Sequence, residues 1–192
     1  TKASHDRVEV LAFSHKIMDG SINLEEYSEL ILKQFYLHKA LEQQFENILT
    51  AKEKQQLRLG ERKKVHLLKY DMLELDIDEK MLCFNKVPQL AINNLEEAIG
   101  AMYVLEGSTL GGAVIRRKLE KNLQIQRNSS FNFYGCYGEN TGSFWKAFIM
   151  QATIIGKTPK SQEKIVNKAV ETFKYFEDIL AYGEVSFKEE VS

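Results

Sequence analysis

A histidine and a glutamate near the start of the chain have the spacing of a metal ligand and its supporting carboxylate. His5 and Glu9 stand four residues apart in the segment TKASHDRVE. On a helix that spacing places both side chains on one face, with Val8 and Ala12 beside them. The glutamate could then accept the second ring N–H of a metal-binding histidine and fix the ring orientation. A surface histidine–glutamate pair of little energetic value has the same spacing, so the pair alone leaves metal binding open.

A second segment, YVLEGSTLGG, combines glycines and hydroxyl residues inside an otherwise helical run. Gly107, Gly111 and Gly112 each cost a helix up to about 1 kcal/mol relative to alanine. The glycines could mark a helix end or close packing between two helices. They could also leave bare backbone against a flat ligand such as an aromatic cofactor. In that case Ser108 and Thr109 would donate to backbone carbonyls that a kink frees.

Other patterns that carry chemistry are weak in this chain. It has no Glu-x-x-His pair of the kind that binds two irons in helical bundles. Gly156-Lys157-Thr158 is similar to the end of a phosphate-binding loop, but Gln151 stands where that loop requires glycine. The remaining candidates are expected to be surface or hydrogen-bonded histidines and a solvated helix face: His15, His38, His66, Glu42 and Glu46.

Composition narrows the class of protein. The chain has 192 residues, of which 44% are apolar and 28% charged, and its formal net charge is -1. This balance is typical of a globular protein and predicts one domain over residues 1–192. The near-zero charge argues against nucleic acid or an anionic membrane as a partner. Cys83 and Cys136 are far apart in the sequence, which argues against a disulfide framework and fits a reducing cytoplasm. The first residues lack the apolar core of a signal peptide.

Helical periodicity and capping residues predict an all-α fold. Asn23 followed by Glu26 begins a long helix, and apolar residues at helical spacing continue from Glu61 to about Leu75. Asn93 with Glu96 predicts the start of the helix that carries the glycines. Only two prolines occur, and one of them, Pro159, is placed to open a helix that continues to about Tyr182. We therefore expect seven or eight helices, without a strand pattern of useful length and without an apolar stretch long enough to span a bilayer.

Taken together, these segments resemble the heme oxygenase family, most closely its bacterial branch that produces biliverdin. The resemblance rests on the histidine after T-x-x-x, the glutamate one turn later, and the YVLEGSTLGG helix. It extends over most of the chain through LEEYSELILKQFYLHKALE, RKKVHLLKYDMLEL, FYGCYGENTGSFWKAF and AVETFKYFEDIL. It implies a helical bundle with a kinked, glycine-bearing distal helix.

The resemblance assigns roles to individual residues. His5 falls at the proximal ligand of the heme iron, Glu9 at its supporting partner, and Lys2 near the heme propionates. Ser108 stands where animal relatives carry an aspartate that organises water, and Val170 where they carry a propionate-facing lysine. The other implied heme-contacting or catalytic residues are Tyr103, Gly107, Thr109, Gly111, Gly112 and Lys174, the last lying one turn after Val170.

The function that the resemblance implies is oxidative cleavage of heme, iron protoporphyrin IX, to biliverdin, carbon monoxide and free iron. Heme is then both cofactor and substrate, oxygen is the second substrate, and electrons come from a reductase, a ferredoxin or a flavodoxin-like protein. Two alternatives stay open at this stage: a non-catalytic heme or tetrapyrrole carrier on the same scaffold, and another enzyme on it, such as a thiaminase-like or di-iron protein.

Overall fold

The fold is helical, as the periodicity predicts. The computed structural model describes Val8, residues 11–83, 88–182 and 184–185. Within them lie α1 (Ser14–Asp19), α2 (Leu24–Ile48), α3 (Ala51–Gln56), α4 (Leu59–Arg62), α5 (Val65–Glu74), α6 (Leu95–Ser108), α7 (Gly112–Leu119), α8 (Thr141–Ile155) and α9 (Pro159–Tyr182), with single 3-10 turns at Glu79–Met81, Thr109–Gly111 and Gly138–Asn140. Two short strands, β1 (Leu82–Cys83) and β2 (Glu184–Val185), pair antiparallel.

The first long helix, α2, begins where the capping pattern places it. The Asn23 side chain accepts a hydrogen bond from the Glu26 N–H at 2.9 Å, and the Glu26 carboxylate accepts one from the Asn23 N–H at 3.2 Å. This reciprocal capping satisfies two donors that a helix start otherwise leaves free. Apolar residues along α2, including Tyr27 and Leu41, are completely buried.

The glycine-bearing helix consists of two halves. α6 and α7 are joined by the 3-10 turn at Thr109–Gly111, which interrupts the regular helix at the predicted kink. The N-cap of α6 is Asn94, whose side chain accepts from the Glu97 N–H at 3.1 Å. The prediction of Asn93 with Glu96 was therefore wrong by one residue.

This kinked helix combines length with a largely apolar sequence. The span Leu95–Leu119 is long and apolar enough to cross a membrane, contrary to the sequence expectation, although half of its most apolar window is buried inside the fold. That burial explains the composition, since Ala98, Ile99 and Ala101 are inaccessible to solvent in the core. The observation is therefore weak evidence for a membrane segment.

The last long helix, α9, packs along α6 over much of its length. A Cβ placed on Gly100 would lie 2.4 Å from the Ile165 carbonyl oxygen, so only glycine permits this close approach. Close packing between two helices through a small residue therefore occurs in α6 at Gly100, outside the YVLEGSTLGG stretch. α9 begins at Pro159 and ends at Tyr182, as predicted.

One helix prediction needs correction. The segment from Glu61 to Leu75 was expected to be continuous, but it is divided into α4 and α5 at Lys63 and Lys64. The break places the Lys64 side chain in the interior, where it is 1% exposed. There Lys64 forms an ionic contact with Glu106 of α6, which the local pattern does not show.

Candidate functional site

A cavity of about 570 Å³ lies between the kinked helix and the N-terminal part of the chain. Its size is within the range of small-molecule and cofactor sites, about 300–1,000 Å³. Its walls come from six regions of the chain and are mainly apolar or glycine: Val8, Ala12, Ser14, Ile17, Gln34, Tyr103, Val104, Gly107, Ser108, Thr109, Leu110, Gly111, Gly112, Ile115, Phe133, Tyr134, Cys136, Trp145, Phe173 and Phe176.

The three glycines of YVLEGSTLGG all line this cavity but differ in what surrounds them. A Cβ on Gly112 would lie 2.8 Å from the Tyr134 carbonyl oxygen, so this glycine is required by protein packing. A Cβ on Gly111 would meet no atom within 4 Å, and one on Gly107 would meet only the Trp145 ring at 3.8 Å. Packing against the rest of the protein therefore does not require glycine at positions 107 and 111. Their effect is to keep this wall of the cavity free of side chains.

The two hydroxyl residues at the kink hydrogen bond to the backbone, as the sequence analysis expects. Ser108 Oγ donates to the Leu105 carbonyl at 2.8 Å, and Thr109 Oγ1 donates to the Glu106 carbonyl at 2.7 Å. A hydroxyl has one proton to donate and two lone pairs. With their protons directed at carbonyls, both oxygens can offer only acceptor positions to a molecule in the cavity.

Aromatic rings form one side of the same wall. The Tyr103 and Trp145 rings contact each other with centroids 5.4 Å apart, and Trp145 is also 5.9 Å from Phe148. Tyr103 is 41% exposed and stands at the edge of the cavity. These rings give a planar apolar ligand a rigid surface to pack against.

Val8 and Ala12 contribute to the cavity from the N-terminal part of the chain. The Ala12 N–H donates to the Val8 carbonyl at 2.9 Å, which is the hydrogen bond of a helical turn. The predicted residues Lys2, His5 and Glu9 lie outside the described residues, so their positions stay predictions. Among the described residues, no group of three or more His, Cys, Asp or Glu side chains could hold a metal ion.

Comparison with known proteins agrees with this geometry. The family model described as heme oxygenase matches residues 1–182. The chain belongs to the heme oxygenase family. The fold is also similar to the NO- and CO-bound heme oxygenase from Neisseria meningitidis, with a TM-score of 0.73 and 21% identity, over 94% of this chain and 85% of that one. No curated protein sequence matches the chain.

We call the side of the cavity formed by Gly107 and Gly111 the glycine wall. A buried ionic cluster that the sequence analysis missed lies behind this wall in the heme oxygenase family member. We call Arg62, Lys64, Glu106 and Tyr137 the Glu106 cluster. The Glu106 carboxylate forms a salt bridge with Arg62 and accepts from Lys64 Nζ at 2.8 Å and from the Tyr137 hydroxyl at 2.9 Å. Burial, and after it the neighbouring Glu106 charge, raises the pKa of Tyr137, which therefore keeps its proton. Glu106 stood in the quoted motif, and a charge within an apolar helical run was the available signal.

Two expectations for α2 were wrong. Glu42 is buried, not solvated, and accepts hydrogen bonds from the backbone N–H groups of Lys64 at 2.7 Å and Val65 at 3.2 Å. His38 was expected at the surface or hydrogen-bonded, but it is 1% exposed and neither ring nitrogen has a hydrogen-bond partner. Its Nδ1 lies 3.5 Å from the Glu42 carboxylate, and burial lowers the pKa of the ring.

The structure does not bring Lys174 to the cavity wall. Its side chain is on the exposed face of α9, where Nζ lies 2.8 Å from Asp178. Val170, one turn earlier, is also exposed. The cavity is instead lined on this helix by Phe173 and Phe176. The described part of α9 thus supplies apolar contacts to the site.

The segment 131–137 that closes the cavity is held by a buried carboxylate on α5. Asp71 accepts from the Asn132 N–H at 2.8 Å, the Asn132 side-chain amide at 2.9 Å and the Phe133 N–H at 2.9 Å. These bonds fix Phe133 and the residues after it against the cavity. Cys136 also lines the cavity, and burial raises the pKa of its thiol, so the sulfur is a protonated, weakly polar part of the wall.

Proposed function

We propose that this protein is a heme oxygenase that cleaves heme to biliverdin, carbon monoxide and iron, using oxygen and electrons from an external donor. The observation that carries the proposal is the cavity itself. Its lining includes backbone without side chains at Gly107 and Gly111, together with Val8 and Ala12 from the N-terminal part of the chain. This arrangement suits a planar, largely apolar molecule that needs open space on one face.

The residues of the cavity fit heme. The volume of about 570 Å³ and the apolar, aromatic lining match a large flat macrocycle. The helical spacing of the sequence places His5 and Glu9 on the same face as Val8 and Ala12, and the latter two line the cavity. His5 would hold the iron and Glu9 would orient its ring. Bound heme would supply both the iron at which oxygen is activated and the porphyrin ring that is oxidised.

The first contribution of the protein itself comes from the backbone at Gly107 and Gly111. Since no side chain extends from Gly107 or Gly111, the backbone there would leave open space for oxygen beside a bound heme. The same backbone would limit the positions that a small molecule could take in that space. Apolar walls such as Val104, Phe173 and Phe176 exclude bulk water from the same space.

Ser108 and Thr109 would set the positions of water on this side. Because their protons are donated to backbone carbonyls, each oxygen could accept a hydrogen bond from a water molecule, which would keep a second proton to donate. Ordered water held in this way could deliver protons at a fixed position. This role would replace that of the aspartate that the resemblance places at position 108 in animal relatives.

The partners follow from the same chemistry. Heme and oxygen are the substrates, and the electrons require a reductase, a ferredoxin or a flavodoxin-like protein. We place the protein in the cytoplasm, where such donors and reducing conditions occur together. Nothing in the near-neutral charge of -1 favours nucleic acid as a further partner.

The test is a heme turnover assay with product identification. Purified protein is loaded with heme, given ascorbate or a reductase system under oxygen, and followed by absorbance, with chromatography of the bilin and detection of carbon monoxide. Loss of the Soret band with formation of biliverdin and carbon monoxide is the expected result. His5→Ala should abolish normal heme coordination and turnover, whereas His15→Ala, at an exposed residue of α1, should keep both.

The same assay separates the alternative functions. A stable red complex whose ring is never consumed, with several electron donors, would show a heme carrier instead of an enzyme. No heme binding at all would contradict both readings. A normal His5→Ala spectrum would show that another residue holds the iron.

A further inference from the structure

The Glu106 cluster is buried far more completely than its charges alone would favour. Glu106 is 2% exposed, Arg62 5% and Lys64 1%. Removing charges from water costs several kcal/mol for each ion, and a well-packed apolar substitute is often equally stable or more so. A cluster of this kind is therefore poor evidence for stability. The cluster instead fixes the positions of the segments that it joins.

The hydrogen bonds of the cluster are nearly saturated, which makes its geometry specific. The three protons of the Lys64 ammonium have three acceptors: Glu106 Oε1 at 2.8 Å, the Arg62 carbonyl at 2.9 Å and the Tyr137 hydroxyl at 3.0 Å. Arg62 donates to Glu106, to the Leu57 carbonyl at 2.7 Å and to the Phe144 carbonyl at 3.2 Å. A displacement of any member would leave a buried charge without its partner.

The cluster joins two segments that line the cavity. Glu106 directly precedes Gly107 at the end of α6, whereas Tyr137 directly follows Cys136 at the end of the segment 131–137. Gly107 and Cys136 both line the cavity, but Glu106 and Tyr137 do not. Glu106 thus acts on the cavity through the position of its neighbours and not by contact with a ligand.

We propose that Glu106 is a positioning residue, which holds the glycine wall and the segment 131–137 in register over the bound heme. This inference rests on the proposed function for its ligand. It adds a residue whose side chain points away from the cavity. The positively charged Arg62 and Lys64 contact Glu106 from the break between α4 and α5.

The experiment compares Glu106→Gln with a matched buried-charge variant. Lys168→Met is the control, because Lys168 is also buried and pairs with Glu97 at 3.4 Å and the Ala91 carbonyl at 2.9 Å, but does not line the cavity. Both variants are loaded with heme and compared for unfolding midpoint, heme dissociation constant, C–O stretching frequency of bound carbon monoxide, rate of ring cleavage and ratio of biliverdin isomers.

Both variants should lose stability, but only Glu106→Gln should alter the site. We expect its heme dissociation constant to stay within a few-fold of wild type, while the C–O stretch shifts or broadens. Ring cleavage should slow by about 10- to 100-fold, the effect of displacing a reacting group by roughly 1 Å, and the isomer ratio should become less selective. The double variant Glu106→Gln/Lys64→Met, which removes one uncompensated cation, should recover part of the stability without recovering the isomer ratio.

The outcomes separate this inference from the proposed function. If Glu106→Gln matches Lys168→Met in stability loss and keeps the wild-type C–O stretch and isomer ratio, the positioning role is wrong. If wild type binds heme without cleaving it, the proposed function fails, but a shifted C–O stretch in Glu106→Gln would still support the positioning role.

Discussion

At the scale of single residues, the glycines of the cavity wall are not equivalent. Gly112 is held by packing, since a Cβ there would lie 2.8 Å from the Tyr134 carbonyl oxygen. Gly111 has open space at the same position. One glycine therefore allows the loop to approach the helix, and the other leaves room for a ligand. The two effects can be separated by substitution.

A leucine at position 111 should block ligand binding without unfolding the protein. In Gly111→Leu the new Cβ would meet no protein atom within 4 Å, so the side chain starts in open space. Replacing glycine in a helical region should add up to about 1 kcal/mol of stability. The bound heme would meet the new side chain, and we expect heme affinity to fall at least about tenfold, or 1.4 kcal/mol.

Gly60→Leu is the matched control for that substitution. Gly60 is also helical, exposed and without an atom within 4 Å of a built Cβ, but it lies in α4, away from the cavity. It should gain similar stability and keep wild-type heme affinity in an absorbance titration. Equal heme affinity in the two variants would show that the glycine wall does not face the ligand.

At the scale of elements, the segment 131–137 is positioned by one carboxylate on α5. Asp71 is completely buried and accepts three hydrogen bonds from Asn132 and Phe133. In Asp71→Ala these donors lose their acceptor, at a cost of about 1–3 kcal/mol for each that stays unsatisfied. We expect a loss of about 3 kcal/mol in urea unfolding and weaker heme binding, because Phe133 and Tyr134 line the cavity.

Glu74→Ala tests whether the loss of stability depends on the burial of Asp71 or follows the loss of any side chain that attaches this loop to α5. The Glu74 carboxylate accepts from the Ser130 N–H and hydroxyl, each at 2.7 Å, at the exposed position directly before the same segment. Water can replace these bonds, so we expect a loss below about 1 kcal/mol and unchanged heme affinity. A larger effect from Glu74→Ala than from Asp71→Ala would refute the assignment.

Local signals predicted the elements well where the cause was local. The Asn23 cap and Pro159 each act within one helical turn, so the starts of α2 and α9 could be taken directly from the sequence. The all-α fold is likewise confirmed. The break between α4 and α5 was not foreseen, and the residue at the break, Lys64, contacts Glu106, 42 residues away in the sequence.

The candidate site was predictable in part for the same reason. The glycines and hydroxyls of YVLEGSTLGG do line one cavity, and the spacing of Val8 and Ala12 correctly predicts a shared face. The burial of His38 and Glu42 was missed. Their surroundings are made by Phe133 and Lys64, which come from other parts of the chain. The neighbours of a polar residue on an amphipathic helix depend on how the helices pack, so the sequence of that helix alone does not reveal them.

At the scale of the whole molecule, the cavity lies where two apolar cores meet. Val104, Phe173 and Phe176 belong to the core around α6 and α9, whereas Ile17 and Phe133 belong to the core around α2 and α5. All five line the cavity. A bound ligand would therefore contact both cores, and its binding free energy would add to the stability of the whole fold.

His38, buried among charged groups from several elements, should make global stability depend on pH. Burial lowers the pKa of His38 in the folded protein, where Glu42 favours its charged form and Lys64 opposes it. The unfolded chain takes up a proton as the pH falls through about 6.5, whereas the folded state takes it up only at lower pH. The unfolded state then binds more protons, so the free energy of unfolding decreases as the pH falls. The contribution of neutral His38 to the free energy of unfolding is complete above a pH of about 6.5. It is lost progressively below that pH, by up to about 1.4 kcal/mol per pH unit.

Urea unfolding of wild type, His38→Gln and His66→Gln at pH 7.5, 6.5 and 5.5 measures this dependence. His38→Gln should remove most of the loss in stability between pH 6.5 and pH 5.5, because glutamine does not titrate in either state. His66→Gln, at an exposed position of α5, should keep the wild-type slope. The difference between the two slopes isolates the buried ring from every other ionisable group in the chain. Parallel slopes for all three proteins would mean that His38 takes up its proton in the folded state, and that the unsatisfied ring nitrogens can be reached by water.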